Sequence, residues 1–491
     1  MRVFLNEDWL HYIWTRQEVD VCEKDLKDFI IQYKNTTITD FLFNINGTVS
    51  TAPSSILETW TDKYLAKEEN GFKVDYTDTW AKRAYDIFTV KGIDMYAVFI
   101  QTCKEVGINP WLSFRMNDAH CNMLPTDIRK SSQVEKNADK WISAHRKAVG
   151  YFDRCFDYSF PDVRNTMLDY IKEQLKRYDV YGIELDFTRE PFCFACGKED
   201  DGIKIMTSFV ADVKKIVDEI GAARGKHIYI GILGQDNPVS ALKTGFDFTE
   251  MAKKGLIDLF VASPRWHSVN NDIPIELWKQ LLGDKVQFGC SQGLLLSTCG
   301  EILKMIDVAT DMGQTASNVC RGCDIVYLYN HFDNIENGLD ELFHKDAYRT
   351  KENIWYIYDN IGKVDEYEKW NRRVPIVYDD FCALNEKISP RLPVTSKFEQ
   401  FRLPTGRIDT ERKIFIHLVL KQKIDGNSIS LYANGRKAEF CENLKDEIIW
   451  ADGYVYTFCV TLKTNKIIGV ETLFEENATV CYLDAVIPPT V

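Results

Sequence analysis

Eight short apolar segments recur along the first three quarters of the chain, and between them lie stretches long enough for a helix. They are "RVFLN" (2–6), "ITDFLFNIN" (38–46), "INPWLSFR" (108–115), "VYGIELDF" (180–187), "HIYIGIL" (227–233), "IDLFVAS" (257–263), "KVQFGCS" (285–291) and "DIVYLYN" (324–330). Runs of this length, rich in β-branched and aromatic residues, read as strands buried on both faces. "PDVRNTMLDYIKEQLKRY" reads as a helix: Pro161 suits a first turn, and Val163, Met167, Ile171 and Leu175 repeat every four residues. "AYDIFTVKGIDMYAVFIQTCKEVG" (84–107) and "MTSFVADVKKIVDEIG" (206–221) read the same way. Eight strand–helix units over about 360 residues fit a (β/α)8 TIM barrel. A doubly wound open sheet shares the alternation and is the structural competitor. The segment 46–84 is then a long insertion at one barrel mouth.

Beyond residue 370 the rhythm changes. "KIFIHLVLKQ", "SISLYANGRKAEF", "YVYTFCVTL" and "KIIGVETLF" alternate and are separated by "IDGN", "NGR" and "TNK" turns. The expected organisation is a catalytic barrel over 1–365 and a small antiparallel, sandwich-like β domain over 370–491.

Composition narrows the function. A net charge of −13 over 491 residues gives no basic footprint for nucleic acid. "MRVFLNEDWLHYIW" places acids within its apolar run, unlike a signal peptide, and no run reaches membrane-spanning length. The 14 Cys follow no disulfide framework. A cytoplasmic protein is expected, with secretion open if a leader was removed. Cys193 and Cys196 in "CFAC" lack the second pair of a zinc ribbon, and their function is left open. Nucleotide cradles and H-E-x-x-H are missing, so no cofactor or metal is expected.

A TIM barrel carries its chemistry at the C-terminal ends of its strands. Those ends hold Asn6, Glu7 and Asp8; Asn44 and Asn46; Arg115, Asn117, Asp118 and His120; Glu184, Asp186 and Arg189; Arg265 and His267; Gln292; and Asn330 and His331. On the fourth strand Gly182, Glu184 and Asp186 share the inward face, and Arg115 and Arg189 are the evident partners for the two acids. Each residue has a plainer role: an interior ion pair for Glu184 or Asp186, a solvated loop for His120, a strand-end cap for Asn330, a turn acid for Asp8. Their convergence on one end is the informative observation. Carboxylates, amides and a His, with 11 Trp and 23 Tyr in the chain, suit a sugar and acid/base glycoside hydrolysis. Two Arg at adjacent strand ends suit a sugar bearing its own carboxylate.

"SFRMNDAH" (113–120), "YGIELDFTREP" (181–191) and "YLYNHF" (327–332) resemble the motifs of glycoside hydrolase family 156, the barrel-type exo-sialidases. The resemblance implies a barrel that releases terminal sialic acid from a sialylated glycan with inversion and without metal. It places the sialate-carboxylate contacts on Arg115, Arg189 and Asn330, the catalytic His and motif Asp on His120 and Asp118, and the N-terminal catalytic Asp on Asp8, with Glu7 as the neighbouring option. Which of Asp8 and His120 is acid and which base stays open. Asn46, Asn117, Glu184 and Asp186 complete the expected substrate contacts. Cys121 stands where related chains often have a second His. Two other readings stay open: a different barrel glycosidase using Glu184 or Asp186, and a non-catalytic carbohydrate-binding barrel. A homodimer is also left open.

Overall fold

The computed structural model describes residues 1–16, 19–70, 76–119, 121–122, 124, 127–142, 154–264, 269–297, 303–333, 350–376, 392–442 and 452–490. Eight parallel strands close into a barrel: β1 (Arg2–Asp8), β2 (Asp40–Asn44), β3 (Asn109–Arg115), β4 (Gly182–Asp186), β5 (Tyr229–Gln235), β6 (Leu259–Ser263), β7 (Gln287–Gln292) and β8 (Ile325–Tyr329). Each pairs with its sequence neighbour, and β8 pairs with β1 in register from Arg2↔Ile325 to Asn6↔Tyr329. The open-sheet alternative is thereby excluded.

Period-two alternation decides what faces the axis. Phe4, Leu42, Trp111, Val261 and Tyr327 pack inside the barrel, while Val3, Leu5, Leu112, Ile183 and Leu185 pack outward against the helices. Trp111 fills the lower interior because Gly182 leaves room for it: a Cβ at Gly182 would lie 2.3 Å from the indole. The Trp111 indole N–H donates to Asp40 at 2.9 Å, and Asp40 also accepts from Arg2 at 3.1 Å. The N-terminal end is thus closed by buried polar and aromatic contacts, and the C-terminal end is left for chemistry.

The helix Pro161–Arg177 forms as its spacing predicts, with Ile171 and Leu175 buried. The segment 84–107 is not one helix. Its first part continues the helix Tyr76–Tyr85 as a π-turn over Asp86–Val90, Gly92 turns the chain at φ 65°, and Asp94 caps a new helix, Met95–Val106, by accepting from the Ala97 N–H at 3.1 Å. A conformation open chiefly to Gly, followed by a good N-cap, overrides the continuous apolar period. No helix among the described residues is long and apolar enough to cross a membrane.

Among the described residues the C-terminal strands form one hydrogen-bonded antiparallel network. Its last strand, Ile467–Ile487, pairs with Arg372–Pro375 and Val394–Pro404 on one side and with Ile408–Leu420 and Ser430–Ala433 on the other. A buried polar cluster joins this sheet to the barrel. Asp484 accepts from Arg373 at 2.6 Å and from Tyr482 at 2.7 Å and lies 2.7 Å from His417, while Arg373 also lies 3.3 Å from Asp307 on the barrel side. Despite its burial, Asp484 is held well below the usual carboxylate range by Arg373 and His417. Val419 and Tyr482 of the sheet pack with Val269, Leu296 and Ile306 of the barrel.

Candidate active site

The ends of β1 and β3 bring together two residues 107 positions apart. Asp8 is the last residue of β1, and its carboxylate accepts from Nη2 of Arg115 at 2.8 Å. Arg115 ends β3, and its Nη1 donates to Asp118 at 3.1 Å. Asp118 also lies 3.6 Å from Nε of Arg189, beyond β4. The result is a chain of alternating charge, Asp8–Arg115–Asp118–Arg189, almost wholly withdrawn from solvent: side-chain exposures are 15%, 6%, 2% and 10%. Burial opposes the charge of Arg115, but Asp8, Tyr329, Asp118 and Asp186 hold its pKa well above the usual range.

A small pocket lined by Asp8, Asn44, Trp60, Arg115, Asp118 and Arg129 opens at this chain of charges. A second cavity, of about 580 Å³, adjoins it at Arg115 and Asp118. Arg129, held by both Asp127 oxygens at 3.0 and 2.7 Å, lies on a loop outside any strand end, so the strand-end rule did not find it.

Other expected site residues are placed differently. Glu184 points into the barrel but does not pair with an Arg. Its carboxyl meets the hydroxyls of Tyr327 at 2.7 Å and Ser113 at 2.8 Å and the Asn6 amide at 3.2 Å. Burial, with Asp186 adding repulsion, pushes its pKa up to about 8, so it is held protonated at neutral pH. Asp186 accepts from the Thr188 and Arg189 backbone N–H groups at 2.8 and 3.1 Å, which turns the chain after β4. Its pKa is also raised, by burial, with Arg115 among the groups that offset the shift. Neither acid lines the pocket or the cavity.

Asn46 spends its amide N–H groups on the carbonyls of Arg115, at 2.8 Å, and Gly47. Asn117 bridges the carbonyls of Phe156 and Phe192 and accepts from the Phe156 N–H at 3.1 Å. Both bind backbone and hold the loops around the site in place. Asn330 follows β8 with φ 53°, and its Oδ1 is buried without a hydrogen-bond partner. His120, Arg265 and His267 lie outside the described residues. His331 lies against Asp311 at 2.9 Å, and Gln292 donates to Thr315 at 2.7 Å, so both serve packing. Cys193 is buried with its sulfur 3.8 Å from the Asn117 amide, and Cys196 is exposed.

Of the acidic pair on β1, Asp8 faces the mouth and Glu7 faces outward. Glu7 contacts Nδ1 of His11, whose Nε2 lies 3.4 Å from Asp333. Burial, only partly offset by His11, raises Glu7 to about 7. Burial disfavours the charged form of His11, but Glu7 overrides it and the net shift is upward. Among the described residues this is the trio whose donor atoms approach closely enough for a metal, within 4.8 Å. His11 offers a different ring nitrogen to each acid, and Arg16 already holds Asp333 at 2.7 Å. The arrangement fits an imidazolium clamped between two carboxylates better than a metal cage, in which one nitrogen and both acids would face a common point.

The sequence matches no protein-family model and no curated protein. Solved structures similar to this chain include a chitinase, ChiW, from Paenibacillus sp. str. FPU-7 (9% identity, TM-score 0.39, covering 100% of this chain and 56% of that one). They also include a protein described as an alpha-L-fucosidase from Bacteroides thetaiotaomicron (9%, 0.35, covering 100% and 95%). A third is the PgaB glycoside hydrolase domain from Bordetella bronchiseptica (13%, 0.41, covering 67% and 93%). This chain spans little more than half the length of the chitinase.

Proposed function

We propose that the chain is a glycoside hydrolase that releases a terminal sialic acid by single displacement. The observation that carries this reading is the buried chain Asp8–Arg115–Asp118–Arg189 at the mouth of the barrel. Two guanidiniums that share Asp118 make a receptor for a carboxylate, and Arg115 of the pair lines a cavity large enough for a sugar. A sialate carboxylate entering this site competes with Asp8 for Arg115. Losing a cationic partner and gaining a like charge both raise the proton affinity of Asp8. Asp8 therefore takes up a proton as substrate binds and gives it to the leaving oxygen. Asp118 is shared between the two arginines. His120, catalytic by the resemblance in the "SFRMNDAH" motif, then activates the water in this proposal, with Asp118 orienting it.

The reading in which Glu184 or Asp186 is the acid or nucleophile is disfavoured by their place below the pocket, where their oxygens are engaged by Tyr327, Ser113 and backbone N–H groups. A panel of 4-methylumbelliferyl glycosides tests the proposal. Hydrolysis of the sialoside alone supports it. Cleavage of a neutral hexoside instead rules it out, and binding of free sialic acid without turnover of any member points to a carbohydrate-binding barrel.

A further inference from the structure

The cavity of about 580 Å³ is longer than the arginine site requires. From Arg115 and Asp118 it runs outward between the segment 54–58 and the first two turns of the helix Pro161–Arg177. Its outer walls carry amides and a hydroxyl, from Gln133, Asn137 and Thr166, alternating with apolar side chains, from Ile56, Val163 and Met167. Ile56 is 40% exposed, an apolar side chain left open to the space.

The charged side chains around this outer part are engaged within the protein. Glu58 accepts from the Ser131 hydroxyl at 2.8 Å and the Ser132 N–H at 2.6 Å, Asp62 accepts from the Thr59 N–H at 2.9 Å, and Lys140 pairs with Asp162 at 3.0 Å. What the outer part presents to a ligand is amides and a hydroxyl interleaved with hydrocarbon, beside a Glu58 carboxylate that, against the effect of burial, its hydrogen bonds hold ionised. That surface matches a pyranose, which offers hydroxyls at its rim and C–H groups on its faces. It does not match a second anion.

We infer that the outer cavity binds the neutral sugar chain that carries the terminal acidic sugar, so that the preferred substrate is a sialylated oligosaccharide and not a sialoside of a small aglycone. This rests on the sialidase reading for the inner end of the cavity. The acidic sugar occupies the end at Arg115 and Asp118, and the following rings lie along Gln133 and Asn137 on one side and the helix face of Val163, Thr166 and Met167 on the other. The segment that forms the opposite wall is fixed at its own back: Ser54 and Ser55 donate to Glu173 of the same helix, each at 2.6 Å. The groove is therefore held open without a ligand and does not have to be built by one, which lowers the cost of binding a flexible chain.

The test is the ratio of kcat/KM on a sialylated tetrasaccharide to kcat/KM on 4-methylumbelliferyl sialoside, measured for the wild type, Thr166→Trp and Gln133→Ala. Thr166 is exposed on the helix, so an indole there fills groove space without entering the core. A wild-type ratio above one that falls about tenfold or more in Thr166→Trp, and falls also in Gln133→Ala, is the expected result. A ratio that neither variant changes overturns the inference. Should the wild type cleave neither substrate, the sialidase reading fails, and saturation-transfer NMR with the neutral tetrasaccharide lacking the acidic sugar decides the cavity's role. Transfer to the wild type that is lost in Thr166→Trp retains a chain-binding groove, and no transfer to the wild type removes it.

Discussion

Asp8 and Arg115 meet at 2.8 Å across the barrel mouth, each as the last residue of its strand. β2 lies between β1 and β3, and its register sets Asp8 opposite Asn44 and Asn44 opposite Ser113, so Arg115 ends β3 two residues beyond the level of Asp8. Asp118 and Asp186 add to the field at the same guanidinium. Arg115→Ala therefore leaves several acids facing one another, and the loss is expected to fall on stability as well as on binding. Breaking one side of a buried ion pair costs on the order of 3–5 kcal/mol. Urea melts are expected to show a loss of that size together with lost sialoside turnover. A variant that unfolds like the wild type removes the structural part of this account. Arg115→Lys should recover more stability than activity, because an ammonium cannot donate to Asp8 and Asp118 in the same forked geometry.

Glu184 links folding to pH. Its pKa rises from 4.5 in the unfolded chain to about 8 in the barrel, so the native state holds the proton more tightly between those values. Stability from this group is fully present below about pH 4.5 and declines as pH rises towards 8, by an amount on the order of a few kcal/mol. Glu184→Gln keeps the shape without the titration. Urea melts from pH 5 to 8.5 should show a flatter stability profile for the variant, which should be the more stable protein at the alkaline end. Parallel profiles would mean that Glu184 is ionised in the native barrel.

Asn330 carries two requirements that substitution can separate. Its backbone is left-handed at φ 53°, and its side-chain oxygen is buried without a partner. Asn330→Gly satisfies the backbone and deletes the amide, whereas Asn330→Ala deletes the amide and adds strain of about 1–2 kcal/mol. The glycine variant should melt close to the wild type, the alanine variant several degrees lower, and both should show a raised KM for sialosides. Wild-type KM in Asn330→Gly would take the side chain out of the binding site.

The stereochemical course tests the single-displacement reading. NMR of the first product from an α-sialoside should show the β-anomer before mutarotation, as expected when water attacks the anomeric carbon directly. His120→Asn should lose on the order of 10²–10⁴-fold in kcat while free sialic acid still binds at Arg115 and Arg189. The α-anomer appearing first would require a covalent intermediate, and a fully active His120→Asn would take the histidine out of the chemistry.

All eight barrel strands were legible because strands buried on both faces appear as near-continuous apolar runs, and the strand-end rule directed attention to Asp8, Arg115, Asp118 and Arg189, which the structure brings together. The misread helix at 84–107 has a local cause, a glycine turn and a cap inside an apolar period. The backbone partners of Asn46 and Asn117 were not legible, because an amide that serves the backbone and one that serves a sugar look the same in a sequence; Asn117 also lines the cavity. The Glu7–His11–Asp333 cluster was invisible because its third member joins from beyond β8. The partners of Glu184 come from β1, β3 and β8, and no periodicity along β4 can name them.

The salt-linked cluster between Arg373, Asp484, His417 and Asp307 has a consequence for inheritance. An accessory module strung on a linker can be traded among enzymes, because the cut severs only solvated chain. Here the cut would part Arg373 from Asp307 on the barrel side, and would bare the apolar seam of Val419 and Tyr482. The terminal sheet and the barrel are therefore expected to descend as one unit, with substitutions at Asp307, Arg373 and Asp484 coming in compensating sets.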